Sequence, residues 1–301
     1  MCQLARCGEY FVCARGLIQN GWIDGISLRE KRVTTESAAV GWSSADVEVV
    51  GADLCPRSFV ASRPQWAGGA ISAHDVRFLA GLVHLVGARH VTEIGVASGW
   101  SSAVTLKALA ARKDDFRLSG IDLSETFYLD GSIPTGRVVD DLLPELLPHY
   151  RLLTGRPAYE AISDVGRCDF AFIDGHHMHP WATIDMISVL SVLRRGDWVA
   201  MHDLNLCTYE RHKHRNRGSY YLFYLWPDTK LHSTQVPTMI GAVRLDREPE
   251  EYLSILLEVL CTPWEISLSE SETDSFLGFV NKTFGSSWRE KYSEVMAIAR
   301  P

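Results

Sequence analysis

Two short stretches of the sequence each end an apolar run with an aspartate next to a histidine. Residues 170–180 read FAFIDGHHMHP, and residues 199–205 read VAMHDLN. Strand interiors of this kind carry no charge, so Asp174 and Asp203 must face either solvent or a common site. An imidazole titrates near neutral pH and can take a proton from a hydroxyl. If the two strand ends meet, they predict acid–base chemistry, with His177 as the candidate base.

The elements that must position these residues alternate between helix and strand from residue 72 onward. Ser72 precedes an apolar stripe at helical spacing, and five apolar strands separated by helices follow. The predicted strands are HVTEIGVA, FRLSGIDL, YRLLTG, CDFAFIDG and DWVAMHDL. This pattern predicts an α/β fold, a doubly wound, Rossmann-like and mostly parallel sheet with N- and C-terminal additions. Ligands of such sheets bind at the carboxyl ends of the strands, so both aspartates can face one crevice.

The chain divides into three regions around this core. Residues 1–65 show no sustained period and form an N-terminal extension, and residues 66–246 form the core. A strand pair around TMIGAVRL is predicted near the end of the core. Residues 247–301 are acidic and partly helical in pattern, and we assign them to a C-terminal helical extension.

Composition excludes several classes of function. The chain has 301 residues, 46% of them hydrophobic, and a formal net charge of -7, which argues against a general nucleic-acid binder. No apolar run approaches the ~20 residues that cross a bilayer, and we find no secretion signal. The seven cysteines are an odd number without a CxxC pair, which favours reduced thiols. We therefore expect a cytoplasmic protein without a nucleic-acid or membrane partner.

The turn after the first predicted strand has the character of a cofactor loop. VTEIGVASGWSS turns through Gly95 and Gly99 into a helix, whose N-terminus offers free N–H groups. The spacing differs from the GxGxxG dinucleotide fingerprint, and Glu93 stands two residues before the first glycine. A carboxylate there would repel a pyrophosphate but favour an ammonium or sulfonium. Asp122 ends the second strand, where it can accept hydrogen bonds from ribose hydroxyls or act as a simple helix N-cap.

Over about residues 65–245 the chain resembles the class I S-adenosylmethionine-dependent methyltransferases, and more narrowly the catechol-type and bacterial natural-product or sugar O-methyltransferases. The resemblance rests, in chain order, on GGAISAHDVRFLAGLV, EIGVASGWSS, GIDLSE, LLTG, FIDGHH, VAMHD and LWPDTK…IGAVRL. It implies S-adenosylmethionine as cofactor. The cofactor-binding residues that it implies are Glu93, Gly95 and Ser101 at the methionine part, Asp122 at the ribose, Gly155 and Arg156 beside the adenine, and Asp174 near the sulfonium.

The resemblance also implies roles for the residues at the ends of the fourth and fifth predicted strands. In metal-dependent relatives, an acid at the fourth strand tip and two residues at the fifth bind magnesium, and the matching residues here are Asp174, His202 and Asp203. An imidazole among the ligands shifts preference from Mg²⁺ toward Mn²⁺ or iron, and a metal-free polar pocket is the alternative. His177 lies where the catechol-type branch carries a basic residue, with His202 as the second catalytic candidate. His179 is expected to be a loop residue.

The implied reaction is methyl transfer to a hydroxyl of a small molecule, such as a sugar or another secondary metabolite in natural-product biosynthesis. A small amine acceptor and a cephalosporin-hydroxylase-like component on the same scaffold are the alternatives. The basic stretch RHKHRNRG at 211–218 is either a solvated turn or a clamp for an anionic group of the acceptor. The sequence leaves a homo-oligomer open and does not identify the acceptor.

Overall fold

The computed structural model describes residues 40–212 and 215–299. Within them, seven strands form the main sheet and two form a separate hairpin. The main-sheet strands are β1 (His90–Ile94), β2 (Arg117–Asp122), β5 (Tyr150–Thr154), β6 (Phe170–Ile173), β7 (Trp198–His202), β8 (Lys230–His232) and β9 (Ile240–Arg244). The hairpin strands are β3 (Thr126–Phe127) and β4 (Asp130–Pro134).

The helices precede, connect and follow these strands. The α-helices are α1 (Ser44–Leu54), α2 (Arg57–Ala61), α3 (Ala73–Leu85), α4 (Trp100–Ala110), α5 (Arg137–Leu142), α6 (Ala158–Ala161), α7 (Trp181–Leu190), α8 (Gly218–Leu225), α9 (Leu253–Leu260), α10 (Glu270–Phe284) and α11 (Ser286–Ile298). Short 3-10 helices span Pro144–His149, Ile162–Asp164, Leu206–Thr208, Glu210–His212 and Pro249–Tyr252. No helix among the described residues is long and apolar enough to cross a membrane.

The order of the main sheet is β5-β2-β1-β6-β7-β9-β8. Strands β5, β2, β1, β6 and β7 are parallel, and β9 pairs antiparallel with both β7 and β8. The predicted α/β, Rossmann-like and mostly parallel fold is confirmed. The chain runs outward from β1 through β2 to β5 and returns to β6 on the other side of β1. The gap between the carboxyl ends of β1 and β6 is therefore the switch point, where ligands of such sheets bind.

Strand β6 shows why the sheet needs helices on both faces. Its four residues, FAFI, are all buried, and successive side chains of a strand point to opposite faces. Phe170 and Phe172 belong to the core with α1, α3 and α4, whereas Ala171 and Ile173 belong to the core with α7 and α9 to α11. Burying each phenylalanine contributes roughly 1.5–3 kcal/mol to stability. A strand without a polar face can only be central, which places its carboxyl end in the middle of the molecule.

Helix α3 begins as the sequence predicts, at Ser72. The Ser72 hydroxyl accepts from the Asp75 backbone N–H, and the Asp75 carboxylate accepts from the Ser72 N–H, which forms a capping box. Helix α1 crosses α3 at backbone contact: a Cβ on Gly51 would lie 1.7 Å from the Arg77 carbonyl oxygen. Helix α1 belongs to the region assigned to the N-terminal extension, whose residues 1–39 lie outside the described residues.

Candidate functional site

The loops at the switch point form two groups. The cofactor side comprises the ends of β1 and β2 and the loops after them, residues 93–99 and 122–125. The acceptor side comprises the end of β7 and the loops after β6 and β7, residues 174–180 and 202–205, together with the residues from other elements that adjoin them. The two sides touch at Gly95, which has φ +87°, and a Cβ there would lie 2.2 Å from the Asp174 carbonyl oxygen. The sequence predicted a glycine for approach of the cofactor, but the close contact that the structure shows is with the neighbouring loop.

Glu93 lies at the end of β1 with no exposed surface. Its Oε2 accepts a short hydrogen bond from the Ser102 hydroxyl in α4, and its Oε1 is buried without a partner among the described residues. Burial raises the pKa of Glu93 to about 8, although hydrogen bonds from Ser101 and Ser102 act in the opposite direction. An unfilled acceptor in a dry position fits a cationic donor such as the ammonium of a methionine moiety.

Asp122 holds the glycine loop in place. Its Oδ2 accepts from the backbone N–H groups of Val96 and Ala97, both at 2.9 Å, and its Oδ1 accepts from Ser124 N–H at 2.8 Å. Ala97 has φ +49°, a conformation that non-glycine residues rarely adopt and that these bonds stabilise. Oδ1 accepts a single hydrogen bond and has a second lone pair, so the side chain can still accept from a ribose hydroxyl.

The two residues predicted beside the adenine lie at the tip of β5 and differ in their contacts. Gly155 has φ +77°, and its N–H donates to the Asp122 carbonyl oxygen at 3.1 Å. Arg156 instead pairs with Asp164 in the following 3-10 helix at 2.8 Å. The structure therefore places Gly155 directly against the cofactor side, whereas the Arg156 guanidinium is directed toward Asp164.

On the acceptor side, three carboxylates surround the His202 ring. Its Nε2 is 3.3 Å from Oδ2 of Asp75, and its Nδ1 is 3.4 Å from Oδ1 of Asp174 and 3.3 Å from Oδ1 of Asp203. Burial alone would lower the pKa of His202, but Asp174 and Asp203 raise it well above its usual value. The charges of Asp174 and Asp203 therefore favour the protonated form of this buried ring.

The His202 ring in turn acts to lower the pKa of Asp174 and Asp203, against the effect of burial. Burial would raise the pKa of Asp203, but the nearby His202 lowers it to about 2. Burial raises the pKa of Asp174 despite the same neighbour. Asp203 also has φ +60°, and such outliers are concentrated at functional sites.

His177 is the imidazole of this group that reaches solvent. Its Nε2 is 3.0 Å from Oδ2 of Asp203, and about a third of its side chain is exposed. One ligand atom each from Asp174, His177 and Asp203 lie within 4.8 Å of one another. Asp174, His177 and Asp203 therefore form a group that could share an ion, and the predicted ligand His202 lies 3.3–3.4 Å from the same two aspartates through Nδ1. Two carboxylates and an imidazole suit Mn²⁺, Fe²⁺ or Zn²⁺ better than Mg²⁺.

His179 lies in the turn before Pro180, as the sequence predicts, but it is buried and not solvent-exposed. It has no exposed surface, and its ring lies edge-on to Tyr221 at 5.4 Å and to Trp264 at 6.5 Å between centroids. Burial lowers the pKa of His179 to about 3, so the ring is neutral. The groups that bury it come from α8 and from the segment after α9, far along the chain.

Sequence reasoning missed two residues of the acceptor side. Asp75 is buried and contacts His202, but its capping-box position gives it an ordinary explanation in the sequence. Tyr128 lies in the β3–β4 hairpin, and its hydroxyl packs against Gly69. Burial, together with the charges of Asp174 and Asp203, raises the pKa of Tyr128. Leu129 beside it is 58% exposed, which leaves an apolar rim.

Comparisons with known proteins agree with this geometry. A family model described as a methyltransferase domain matches residues 92–204, and another described as O-methyltransferase matches residues 44–130. Together the two ranges cover more than half of the chain and include both sides of the switch point. The chain is a class I S-adenosylmethionine-dependent methyltransferase. The methyl donor of this methyltransferase is therefore S-adenosylmethionine.

Solved structures with a similar fold include three methyltransferases. An O-methyltransferase from Bacillus cereus in complex with SAH is 19% identical, with a TM-score of 0.44 over 68% of this chain and 98% of the other. O-methyltransferase TomG from Streptomyces achromogenes, involved in tomaymycin synthesis, is 19% identical, with a TM-score of 0.45 over 68% and 97%. SAH-bound PaMTH1 from Podospora anserina is 12% identical, with a TM-score of 0.47 over 63% and 86%. None of the curated proteins matches the chain.

Proposed function

We propose that this methyltransferase transfers its methyl group to a hydroxyl of a small molecule, such as a sugar or another secondary metabolite, with His177 as general base. The observation that carries the proposal is the His177–Asp203 pair, 3.0 Å apart at the switch point. An imidazole paired with a carboxylate is a common proton acceptor for hydroxyl groups. The pair lies across the crevice from Glu93 and Asp122, where the donor binds.

The cofactor side supplies the groups that hold S-adenosylmethionine in this proposal. Glu93 accepts from the ammonium, because its Oε1 is a buried acceptor without a partner among the described residues. Gly95 and Ser101 border the methionine part. Asp122 accepts from the ribose hydroxyls. Gly155 lies beside the adenine, where Arg156 was also predicted, and Asp174 faces the sulfonium.

The acceptor side moves the proton. When Nε2 of His177 donates to Asp203, its Nδ1 is the basic nitrogen. S-adenosylmethionine supplies an electrophilic methyl group on a sulfonium. As the acceptor oxygen forms its bond to the methyl carbon, the carbon–sulfur bond breaks and its electron pair stays on sulfur. The hydroxyl proton passes to Nδ1 of His177, and Asp203 stabilises the imidazolium. The products are a methyl ether and S-adenosylhomocysteine.

His202 has a different role from the one that the sequence assigned. Because both ring nitrogens face carboxylates, it is not a base in this proposal. As an imidazolium it keeps Asp174 and Asp203 close together, where two bare carboxylates would repel each other. His202 therefore positions the acids.

A divalent cation is a second arrangement of the same site, supported by the three ligand atoms within 4.8 Å. Asp174, His177 and Asp203 would hold it, and it would polarise the acceptor hydroxyl as a Lewis acid. Manganese binding is measured by equilibrium dialysis on the wild type and on Asp203→Asn. Loss of turnover on chelation, with restoration by Mn²⁺ better than by Mg²⁺, supports the cation. Full activity after extensive chelation supports the base alone.

The basic loop supports an anionic acceptor. The charge of His212 is among the causes that lower the pKa of Asp203. Arg217 donates from Nη1 to the Tyr221 hydroxyl at 3.3 Å. Residues 213–214 of the predicted clamp lie outside the described residues. A phosphate or carboxylate near the methylated hydroxyl would meet positive charge here.

The proposed function is tested with matched alcohols and amines. We expect S-adenosylhomocysteine to raise the melting temperature, as a ligand of the native state does, and NAD to leave it unchanged. With S-adenosylmethionine deuterated in its methyl group, mass spectrometry should find the label on alcohol acceptors. Label on amines alone would overturn the proposed hydroxyl specificity.

A further inference from the structure

The segment between α9 and α10 reaches back to the loop that carries His177. Oε2 of Glu265 accepts from the backbone N–H of His179 at 2.7 Å, and the Glu265 N–H donates to the His179 carbonyl oxygen at 2.9 Å. These two bonds join residues 86 positions apart in the chain. Neither family model extends to Glu265, because they end at residues 130 and 204.

The same carboxylate oxygen also accepts a hydrogen bond from the segment that packs against the His177 backbone. Oε2 of Glu265 accepts from the backbone N–H of Arg217 at 2.9 Å, just before α8 begins. The next residue, Gly218, donates its N–H to the His177 carbonyl oxygen at 2.9 Å. A Cβ on Gly218 would lie 2.9 Å from that oxygen, so the contact is close. One side-chain oxygen thus fixes both segments that hold the His177 backbone.

This arrangement costs stability. Oε1 of Glu265 is buried and has no hydrogen-bond partner among the described residues. An unsatisfied buried polar atom destabilises the folded state. The neighbouring Trp264 is buried, and its ring lies edge-on to the His179 ring. A packing role alone would be served by an apolar residue, so the carboxylate points to a requirement for the two accepted N–H groups.

We propose that Glu265 is a positioning residue for His177. It fixes the 177–179 loop against the N-terminus of α8 and thereby holds the imidazole within reach of Asp203 and of the acceptor. The inference rests on the proposed role of His177 as base. It makes the C-terminal region part of the catalytic machinery, although that region lies outside both family models.

Three substitutions of Glu265 separate the effect of side-chain length from the effect of charge. Glu265→Gln keeps a carbonyl oxygen at the same distance, whereas Glu265→Asp keeps the charge but is one methylene too short to bind both N–H groups. We expect Glu265→Asp and Glu265→Ala to lower kcat by about 10- to 10²-fold, because small misplacements of a reacting group have effects of this size. Glu265→Gln should stay within roughly threefold of the wild type, since the accepted hydrogen bonds survive. Glu290→Ala, an exposed site in α11, is the matched control and should leave kcat unchanged.

A double-mutant cycle with His177→Ala tests whether Glu265 acts through His177. If it does, Glu265→Asp should cost nothing further in kcat when His177 is already absent. Hydrogen exchange adds a readout that needs no turnover. The amides of His179 and Arg217 should exchange faster in Glu265→Asp than in Glu265→Gln, while S-adenosylhomocysteine affinity stays unchanged in both.

The outcomes separate the inference from the proposed function. A wild-type kcat in Glu265→Asp overturns the positioning role. So does a result in which Glu265→Asp lowers kcat as much in the His177→Ala background as in the wild type. Unchanged exchange at His179 and Arg217 overturns it as well. Wild-type kcat in His177→Ala alone overturns the proposed base, and the positioning of a base falls with it. Faster exchange in that case would still report the loop contact, so the failing step is identified.

Discussion

On the cofactor side, backbone N–H groups and serine hydroxyls bind the carboxylates of Glu93 and Asp122, whereas on the acceptor side three carboxylates surround an imidazole. Asp122 accepts from Val96, Ala97 and Ser124. Asp203 instead faces the rings of His177 and His202. Backbone donors are fixed by the fold and hold the Asp122 carboxylate in one position. Titratable side chains can exchange protons, so of the two sides the acceptor side is the one suited to proton transfer.

Removing His177 should give the largest effect and confine it to the acceptor side. We expect His177→Ala to lower kcat by about 10²–10⁴-fold, the usual contribution of a positioned general base. S-adenosylhomocysteine affinity, measured by calorimetry, should stay nearly unchanged because the cofactor side is intact. His74→Ala removes an exposed imidazole from α3 and is the control. Equal kcat in wild type and His177→Ala would place the base elsewhere.

Removing Asp122 should instead weaken cofactor binding and leave the acceptor side intact. Asp122→Ala leaves three backbone N–H groups without their acceptor and removes the proposed ribose contact. Hydrogen bonds to a charged group contribute about 1.5–3 kcal/mol, so we expect the Kd of S-adenosylhomocysteine to rise roughly 10- to 10²-fold. At saturating cofactor, kcat should change little. Asp115→Ala, at an exposed position before β2, controls for loss of charge. A fall in kcat with unchanged Kd would contradict the division into two sides.

The pH dependence of cofactor binding should distinguish Glu93 from the acids opposite. The pKa of Glu93 is raised to about 8, so the unliganded side chain is protonated below that pH. An ammonium ligand favours the carboxylate, and binding must then release the proton. Affinity for S-adenosylhomocysteine should therefore rise from pH 6 to pH 8, by at most about tenfold per pH unit, and fall in the reverse direction.

Calorimetry in two buffers of different ionisation enthalpy measures this proton release directly. Glu93→Gln cannot release a proton, so its affinity should be nearly independent of pH over the same range. Ser119→Ala, in the interior of β2, serves as a control for a small buried change near the sheet. The same slope in wild type and in Glu93→Gln would rule out Glu93 as the titrating group.

Substitution of Tyr128 should give the smallest effect and test whether the acceptor contacts the hairpin. Its ring lies on the exposed hairpin, and its hydroxyl packs against Gly69. Tyr128→Ala should raise the KM of an acceptor with a ring by roughly two- to tenfold, the 0.5–1.5 kcal/mol of one aromatic contact. Tyr128→Phe should retain most of the affinity. Unchanged KM in both variants would place the acceptor away from the hairpin.

Much of the fold could be predicted from the sequence because the signals are local. Strand β6 is apolar throughout and β7 is apolar up to His202, which a strand in the interior of the sheet can accommodate. Ser72 and Asp75 mark the start of α3 within four residues. The hairpin β3–β4 was not predicted, because β4 is mostly exposed and the hairpin depends on the contact between Trp66 and Phe127.

The site was predicted less completely because its contacts join distant residues. The positions of Asp174 and Asp203 could be predicted because each follows an apolar strand, and parallel strands bring their carboxyl ends to one edge of the sheet. His202 contacts Asp75 across 127 positions of the chain, and no local pattern indicates that pair. The burial of His179 likewise depends on Tyr221 and Trp264. Pairwise contacts of this kind decide which histidine is free to react.

The order of strands in the sheet has a consequence for synthesis of the chain on the ribosome. Strands β1, β2 and β5 and the loops of the cofactor side come from one continuous stretch, residues 90–155. The acceptor side gathers residues from Asp75 to Glu265. Because chains emerge N-terminus first and segments fold as they become complete, every cofactor-side loop leaves the ribosome well before Glu265 does. Nascent chains halted before residue 265 therefore contain all the cofactor-side residues and lack the contact that fixes the His177 loop.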